Sequence, residues 1–195
     1  MLETLIELDQ ELFLWLNGKH SETFDFIMYW ISNKFVWIPF YLFLVYRVVL
    51  MHHPRILWLL LPVVALMILS SDQSSVQWFK EVFMRLRPCH EPVLDGLVHT
   101  VNDRCGGRFG FVSSHATNSF AVAVFVLLIY KEAWWSVGLL LWAALVSYSR
   151  IYLGVHYPGD VLGGAILGSF WGIIWYTIFQ QFRKRGAVFF RLIKE

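Results

Sequence analysis

Three short stretches carry ionisable side chains through an otherwise apolar chain: Lys80 to Pro88, Val112 to His115, and Ser149 to Asp160. Lys80, Arg87 and Arg150 supply three cations, and a guanidinium grips phosphate through a two-pronged donor fork. Ser113 adds a hydroxyl. Ser114 and His115 stand where a helix begins, and the N–H groups at such a start favour an anion. Asp160 lies four residues after His156, so its carboxylate can accept from one ring nitrogen, fix the tautomer and leave the other nitrogen free to attack. His115 then suits the acid that protonates a leaving oxygen. The sum is a phosphoryl-transfer site built on a cation cradle. No cluster of Asp or Glu accompanies it to hold Mg²⁺. The pattern implies no metal and no cofactor.

The elements that must position these residues follow from hydropathy. The chain has 195 residues, 57% hydrophobic, 18% aromatic and only 15% charged, with mean hydropathy +0.55. An ordinary soluble domain has about 25% charged residues, so the composition points to an integral membrane protein and excludes disorder. A net charge of +2 implies no nucleic-acid partner, and nothing points to an obligate protein partner. A spanning helix needs about 20 apolar residues. Five segments qualify, at Phe26–Leu50, Ile56 to beyond Ser70, Ser114–Tyr130, Trp134–Tyr148 and Val161–Phe182. The expectation is one all-α membrane bundle over residues 1–195. Met1–Asn17 is amphipathic, with acids at Glu3, Glu7, Asp9 and Glu11. It lacks a signal peptide's basic start and small-residue cleavage site, so it is read as part of the mature protein. It is expected in the interface or packed shallowly on the bundle.

Cations sort the loops. Arg183, Lys184, Arg185, Arg191 and Lys194 follow the fifth span, Arg47 and Arg55 flank the first turn, and Lys131 sits in the third. With five crossings these share the cytoplasmic side, which places the N-terminus outside and the C-terminus inside. Lys80, Arg85, Arg87, Arg104, Arg108 and Arg150 then oppose the rule at the outer side. They form either a basic rim on lipid headgroups or an anion site. All three polar stretches fall at that outer end, and charges at membrane depth are functional-site candidates. Gly164, Gly168 and Gly172 repeat every four residues and should allow close helix packing. Cys89 and Cys105 share the outer loop. They are either a disulfide, contributing about 3 kcal/mol in the chain-entropy model, or two free thiols.

Each residue also has a plainer reading. His20, His52, His53 and His99 read as interfacial side chains. Lys80 and Arg85 read as snorkelling to headgroups. Asp160 reads as a cap of the fifth span, and Ser113 or Ser114 as a cap of the third. The plain readings leave the convergence of three matching stretches on one membrane side without a cause.

The three stretches resemble the signature of the type 2 phosphatidic acid phosphatase (PAP2) superfamily: K-x6-R-P, P-S-G-H and S-R-x5-H-x3-D. Lys80, Arg87 and Pro88 match the first, and Ser149, Arg150, His156 and Asp160 the third. In the second, Ser113 and His115 are kept, while Val112 replaces Pro and Ser114 replaces Gly. The resemblance implies a helical membrane fold with about five spans and a metal-independent phosphatase with a phosphohistidine intermediate. By position, His156 is implied as nucleophile, Asp160 as its orienting partner and His115 as general acid. Lys80, Arg87, Ser113, Ser114 and Arg150 are implied as phosphate ligands. The outward site and small size resemble undecaprenyl pyrophosphate phosphatases of the bacterial inner membrane, which is the expected activity. Lipid A 1- or 4'-phosphatase and phosphatidylglycerophosphate phosphatase are the alternatives. A lipid-phosphate binder or flippase is the non-enzyme alternative. His90, Glu91, Arg104 and Arg108 are candidate headgroup contacts.

Overall fold

The computed structural model describes residues 2–192 of the chain, and side chains for residues 3–185. Lys194 of the basic tail lies outside the described residues, as does the side chain of Arg191. The fold is all-α: α1 (Leu2–Asn17), α2 (Glu22–Ser32), α3 (Ile38–Met51), α4 (Leu57–Ser74), a π-helical turn (Ser75–Lys80), the short α5 (Glu81–Phe83), α6 (Ser114–Tyr130), α7 (Ala133–Tyr152) and α8 (Pro158–Leu192). Among the described residues the β structure is one isolated antiparallel bridge, Leu86 to Phe109.

α6 forms the axis of the bundle. Ala116, Thr117, Ala121, Ala123, Phe125 and Val126 on it are all buried, and it packs against α8, α7, α4 and α3. The glycine repeat explains the closest of these contacts. A Cβ on Gly164 would come within 2.6 Å of the Ser113 carbonyl oxygen, on Gly168 within 2.1 Å of that of Thr117, and on Gly172 within 2.8 Å of that of Ala121. Two four-residue repeats thus interlock backbone to backbone, as small-residue stripes do in lipid. This contact fixes the start of α8, with Asp160, against the start of α6, with His115. Deeper in the bundle, Trp142 of α7 meets the rings of Trp37, Phe40 and Tyr41 at 5.1–5.9 Å between centroids.

The first expected span, Phe26–Leu50, is two helices. Asn33 ends α2, its side chain accepts from the Phe35 N–H at 3.0 Å, and a 3₁₀ turn over Lys34–Trp37 follows. The Trp37 indole N–H donates to the Ile31 carbonyl at 2.7 Å. Side chains thereby satisfy backbone groups freed at the break, and Pro39 sits in the first turn of α3 where its missing N–H costs nothing. Hydropathy alone does not register such a break. Lys34–Met51, Pro54–Phe83 and Pro158–Arg185 are long and apolar enough to cross a membrane; α6 is apolar but shorter, at 17 residues. α7 runs one turn beyond its expected end, to Tyr152.

The two ends of the bundle differ. At one end Arg47 approaches Glu132 at 3.9 Å and Arg183 meets the His52 ring at 2.7 Å. The α3–α4 turn, the α6–α7 turn and α8 thus gather there, and His52 has a specific partner rather than an idle interfacial place. The three polar stretches lie at the opposite end.

α1 packs more deeply than expected. Phe13 is fully buried against Tyr157, with ring centroids 5.4 Å apart. The buried Asn17 side chain donates to the carbonyls of His99 at 3.0 Å and Tyr152 at 2.8 Å. Leu5, Ile6, Leu8, Leu12 and Trp15 remain exposed, an apolar face suited to the membrane interface.

The interlocked stripe predicts that Gly168→Ala destabilises the protein by about 2 kcal/mol or more through overpacking. Gly138→Ala on α7, where an added Cβ meets nothing within 4 Å, should be neutral or stabilising. Thermal unfolding in detergent compares them, and equal midpoints would refute the packing argument.

Candidate active site

α7 stops at Tyr152, inside the third polar stretch. Gly154 adopts φ +75°, and a Cβ there would lie 2.5 Å from the His99 carbonyl oxygen, so both the turn and the close approach require glycine. The chain then buries Val155, His156 and Tyr157 before Pro158 opens α8. His156 is 2% exposed and Asp160 fully buried. Asp160 Oδ2 faces His156 Nδ1 at 3.4 Å and accepts the Tyr157 N–H at 3.0 Å. The second of these contacts is a reach-back within the first turn of α8. The capping reading of Asp160 and the imidazole-facing reading therefore describe the same oxygen, and they coexist. With Nδ1 turned to the carboxylate, Nε2 is left for other chemistry.

The cations come from three elements. Lys80 ends the π-helical turn and donates to Ser114 Oγ at 2.8 Å; Ser75 Oγ lies 2.7 Å from the same hydroxyl. The serine that replaces the signature glycine therefore tethers the lysine. Arg87 donates from Nε to the Phe109 carbonyl at 3.2 Å and from Nη1 to that of Cys105 at 3.0 Å. Gly106 leaves room for it, since a Cβ there would lie 3.0 Å from Nη1. Cys89 and Cys105 form a disulfide, with Cα atoms 5.9 Å apart, which resolves the alternative left open by the sequence. Arg150 donates to the Ser32 hydroxyl at the end of α2.

Arg87 and Arg150 line one pocket of about 370 Å³, with Arg104 at its rim and no carboxylate in its lining. Arg104 is held there by a 3.1 Å hydrogen bond to the Tyr29 hydroxyl. Ser113 is fully buried, and its hydroxyl has no hydrogen-bond partner in the protein. No side chain caps α6, so the capping reading of Ser113 fails and a buried polar atom stays open to a ligand. His115, on the first turn of α6, lies within electrostatic range of Arg150, His156 and Lys80. His156 likewise lies within range of the charges of Arg87, Arg150 and Lys80, but neither imidazole nor Lys80 is among the residues that line the pocket. His90, Glu91 and Arg108 do not line this pocket. His90 contacts the Gly106 carbonyl at 3.2 Å, Glu91 lines a separate groove beside α1, and Arg108 lies over the Phe109 ring.

Two groups exceed their plain sequence readings. Arg85 does not snorkel. Its Nη1 donates to Asp160 Oδ1 at 3.0 Å and its Nη2 to Asp9 Oδ2 at 2.7 Å. His99 pairs with Asp25 at 2.9 Å and stacks on His20, with ring centroids 3.7 Å apart. Spacing carries no signal for Asp9, which lies 76 positions before Arg85. An arginine two positions before the signature arginine was the available hint. Among the described residues no three His, Cys, Asp or Glu side chains gather to hold a metal ion.

Burial, reinforced by the charges of Arg87, Arg150 and Lys80, holds the His156 pKa well below the ordinary 6.5. The ring is therefore neutral at pH 7, the form that can attack. Protons added below pH 6.5 bind the unfolded chain first, so this histidine lowers stability as pH falls. Histidine NMR of the unliganded protein should show His156 neutral well below pH 6.5; titration near 6.5 would contradict this account. Ser114→Ala frees Lys80 and should weaken phosphate binding about tenfold or less, by the loss of one charge-assisted hydrogen bond. Competition by inorganic phosphate measures it, and unchanged inhibition would show the tether idle.

Known proteins share the sequence pattern and the fold of this chain. The PAP2 superfamily profile matches residues 55–184. A lipid A 4'-phosphatase of Bacteroides thetaiotaomicron is 38% identical over 95% of this chain and 83% of its own length. One from Porphyromonas gingivalis is 35% identical over 94% and 78%. An undecaprenyl-diphosphatase of Sulfolobus acidocaldarius is 44% identical, but over 31% of this chain and 29% of its own. Among solved structures, Aquifex aeolicus LpxE superposes with a TM-score of 0.61 at 23% identity, covering 86% of this chain and 93% of its own. A PAP2-type phosphatidylglycerolphosphate phosphatase of Bacillus subtilis gives 0.62 at 21%, covering 93% and 87%. Fold, signature and relatives converge: the chain belongs to the PAP2 superfamily and is a membrane-bound lipid phosphatase.

Proposed function

We propose that the protein removes a phosphate from lipid A at the outer face of a bacterial inner membrane. The observation that carries the reading is the buried His156–Asp160 pair beside a pocket whose charged lining is Arg87, Arg104 and Arg150 and no acid. The near-full-length similarity to two lipid A 4'-phosphatases supports lipid A over undecaprenyl pyrophosphate, whose named relative matches under a third of the chain. The expectation of an undecaprenyl pyrophosphate phosphatase accordingly yields to its alternative. The N-outside orientation puts the pocket on the periplasmic side, and the disulfide suits that oxidising compartment.

The mechanism follows from the residues. His156 Nε2 attacks phosphorus while the ester P–O bond breaks, and His115 gives the departing oxygen a proton. Asp160 holds the Nδ1 proton and stabilises the charge that develops on the ring. Lys80, Arg87, Arg150, the Ser113 hydroxyl and the start of α6 offset the charge on the phosphoryl oxygens. Water then attacks the phosphohistidine, with His115 taking its proton, and inorganic phosphate leaves. Arg104, exposed at the rim, is placed to read a second anionic group on the headgroup.

Purified protein given lipid A, undecaprenyl pyrophosphate and phosphatidylglycerophosphate should hydrolyse lipid A with the highest kcat/KM. Preference for either other lipid would overturn the substrate. His156→Ala and His115→Ala should lose nearly all phosphate release while folding normally, and full activity in either would remove the mechanism. Chelators should leave the wild-type rate unchanged. Arg104→Ala should raise KM several-fold for bis-phosphorylated lipid A and leave a single-phosphate lipid unaffected. Equal losses on both would deny Arg104 the role.

A further inference from the structure

We propose that Arg85 and Asp9 are positioning residues that aim the Asp160 carboxylate at His156, which makes the N-terminal helix part of the working site. The inference rests on the reading of His156 as nucleophile, and it reaches outside the family match, which begins at residue 55.

A carboxylate orients an imidazole best when its own rotation is restrained. Oδ2 of Asp160 faces the imidazole and accepts the Tyr157 N–H, and a further hold on Oδ1 limits the remaining rotation about the Cβ–Cγ bond. Arg85 Nη1 holds it at 3.0 Å. The guanidinium is itself fixed on two sides. Its carbon lies 4.1 Å from the centroid of the Tyr157 ring, a cation–π contact. Its second nitrogen, Nη2, is bound by Asp9 Oδ2 at 2.7 Å. Asp9 is fixed in turn, because its Oδ1 accepts the Gly159 N–H at 2.8 Å. A Cβ on Gly159 would approach Asp9 Oδ2 to 2.7 Å, so the carboxylate occupies space that only glycine leaves. Phe13, one turn along α1, anchors the helix against Tyr157. The planar fork of arginine thus bridges two carboxylates, a task that a lysine ammonium performs with less directional hold.

Charge gives Asp9 a second part. Arg85 alone would cancel the field of Asp160 at the imidazole. With Asp9 the three groups sum to −1, which is left to stabilise the ring as its Nε2 bonds to phosphorus. No proton travels along the chain of contacts. The Nδ1 proton stays between His156 and Asp160 while the P–N bond forms and the P–O bond breaks.

The test uses full-length protein in detergent and the best substrate of the lipid panel. Arg85→Ala should lower kcat roughly 10- to 100-fold, as the loss of groups that orient a reactive side chain does, with KM within about twofold. Arg85→Lys should restore part of the loss, and Asp9→Asn should lower kcat several-fold. In an Asp160→Asn background, Arg85→Ala should cost nothing further, because it acts through the missing carboxylate. Multiplying losses in that double variant, or a raised KM at unchanged kcat, would overturn the inference. Should Arg85→Ala fail to fold, wild-type kcat in both Asp9→Asn and Arg85→Lys would overturn it, and a kcat loss in Asp9→Asn with unchanged unfolding temperature would support it. Retained activity in His156→Ala would instead refute the nucleophile itself, whatever the Arg85 variants do.

Discussion

The carboxylate of Asp160 is buried without any exposed surface. An ionised group so placed is costly unless neighbours replace the water it has lost. Here one oxygen receives a guanidinium, and the other receives a backbone N–H and an imidazole. These partners come from two places in the chain, the segment after α5 and the α7–α8 turn, and α1 steadies the first of them through Asp9. Much of the architecture at this end follows from satisfying that single group. Removing one member of such a cluster strands a charge in the interior, typically at a cost of about 3–5 kcal/mol.

Backbone contact supplies the rigidity that the polar groups need. The glycines of α8 let its axis approach α6 until one helix's Cα atoms rest on the other's carbonyls. At these glycines the helix that carries His115 and the helix that carries Asp160 meet backbone to backbone. The π-helical turn below Lys80 adds a residue to the helix register and brings Ser75 and Lys80 together on Ser114. Long-range positioning therefore rests on main-chain packing, and short-range positioning on hydroxyls and carbonyls.

The parts legible from sequence are those encoded within short windows. Spacings of seven, four and six residues announce Lys80–Arg87, His156–Asp160 and Arg150–His156, and hydropathy announces α4, α6 and α8. The glycine repeat announces its partner face. The parts that escaped are set by distant pairs or local capping. Asp9 meets Arg85 only because α1 folds back on the α7–α8 turn, which no periodicity records. The break at Asn33 depends on one amide oxygen caught by one N–H, a detail too small to dent an apolar window. His99 reads as an isolated polar residue until Asp25, Tyr152 and Asn17 are brought around it.

The Cys89–Cys105 bridge bears on when the pocket acquires its shape. The Cys105 carbonyl is one of two that hold the Arg87 guanidinium, and the crosslink pins that carbonyl beside Pro88 across 16 residues. A newly inserted chain whose thiols have not yet met an oxidant already has the sequence needed for every helix, yet its anion-gripping rim is tied down only by hydrogen bonds. The oxidised bridge adds a covalent restraint to the carbonyl that orients the Arg87 fork, so the shape of the pocket depends on the redox state of two residues that touch no ligand themselves.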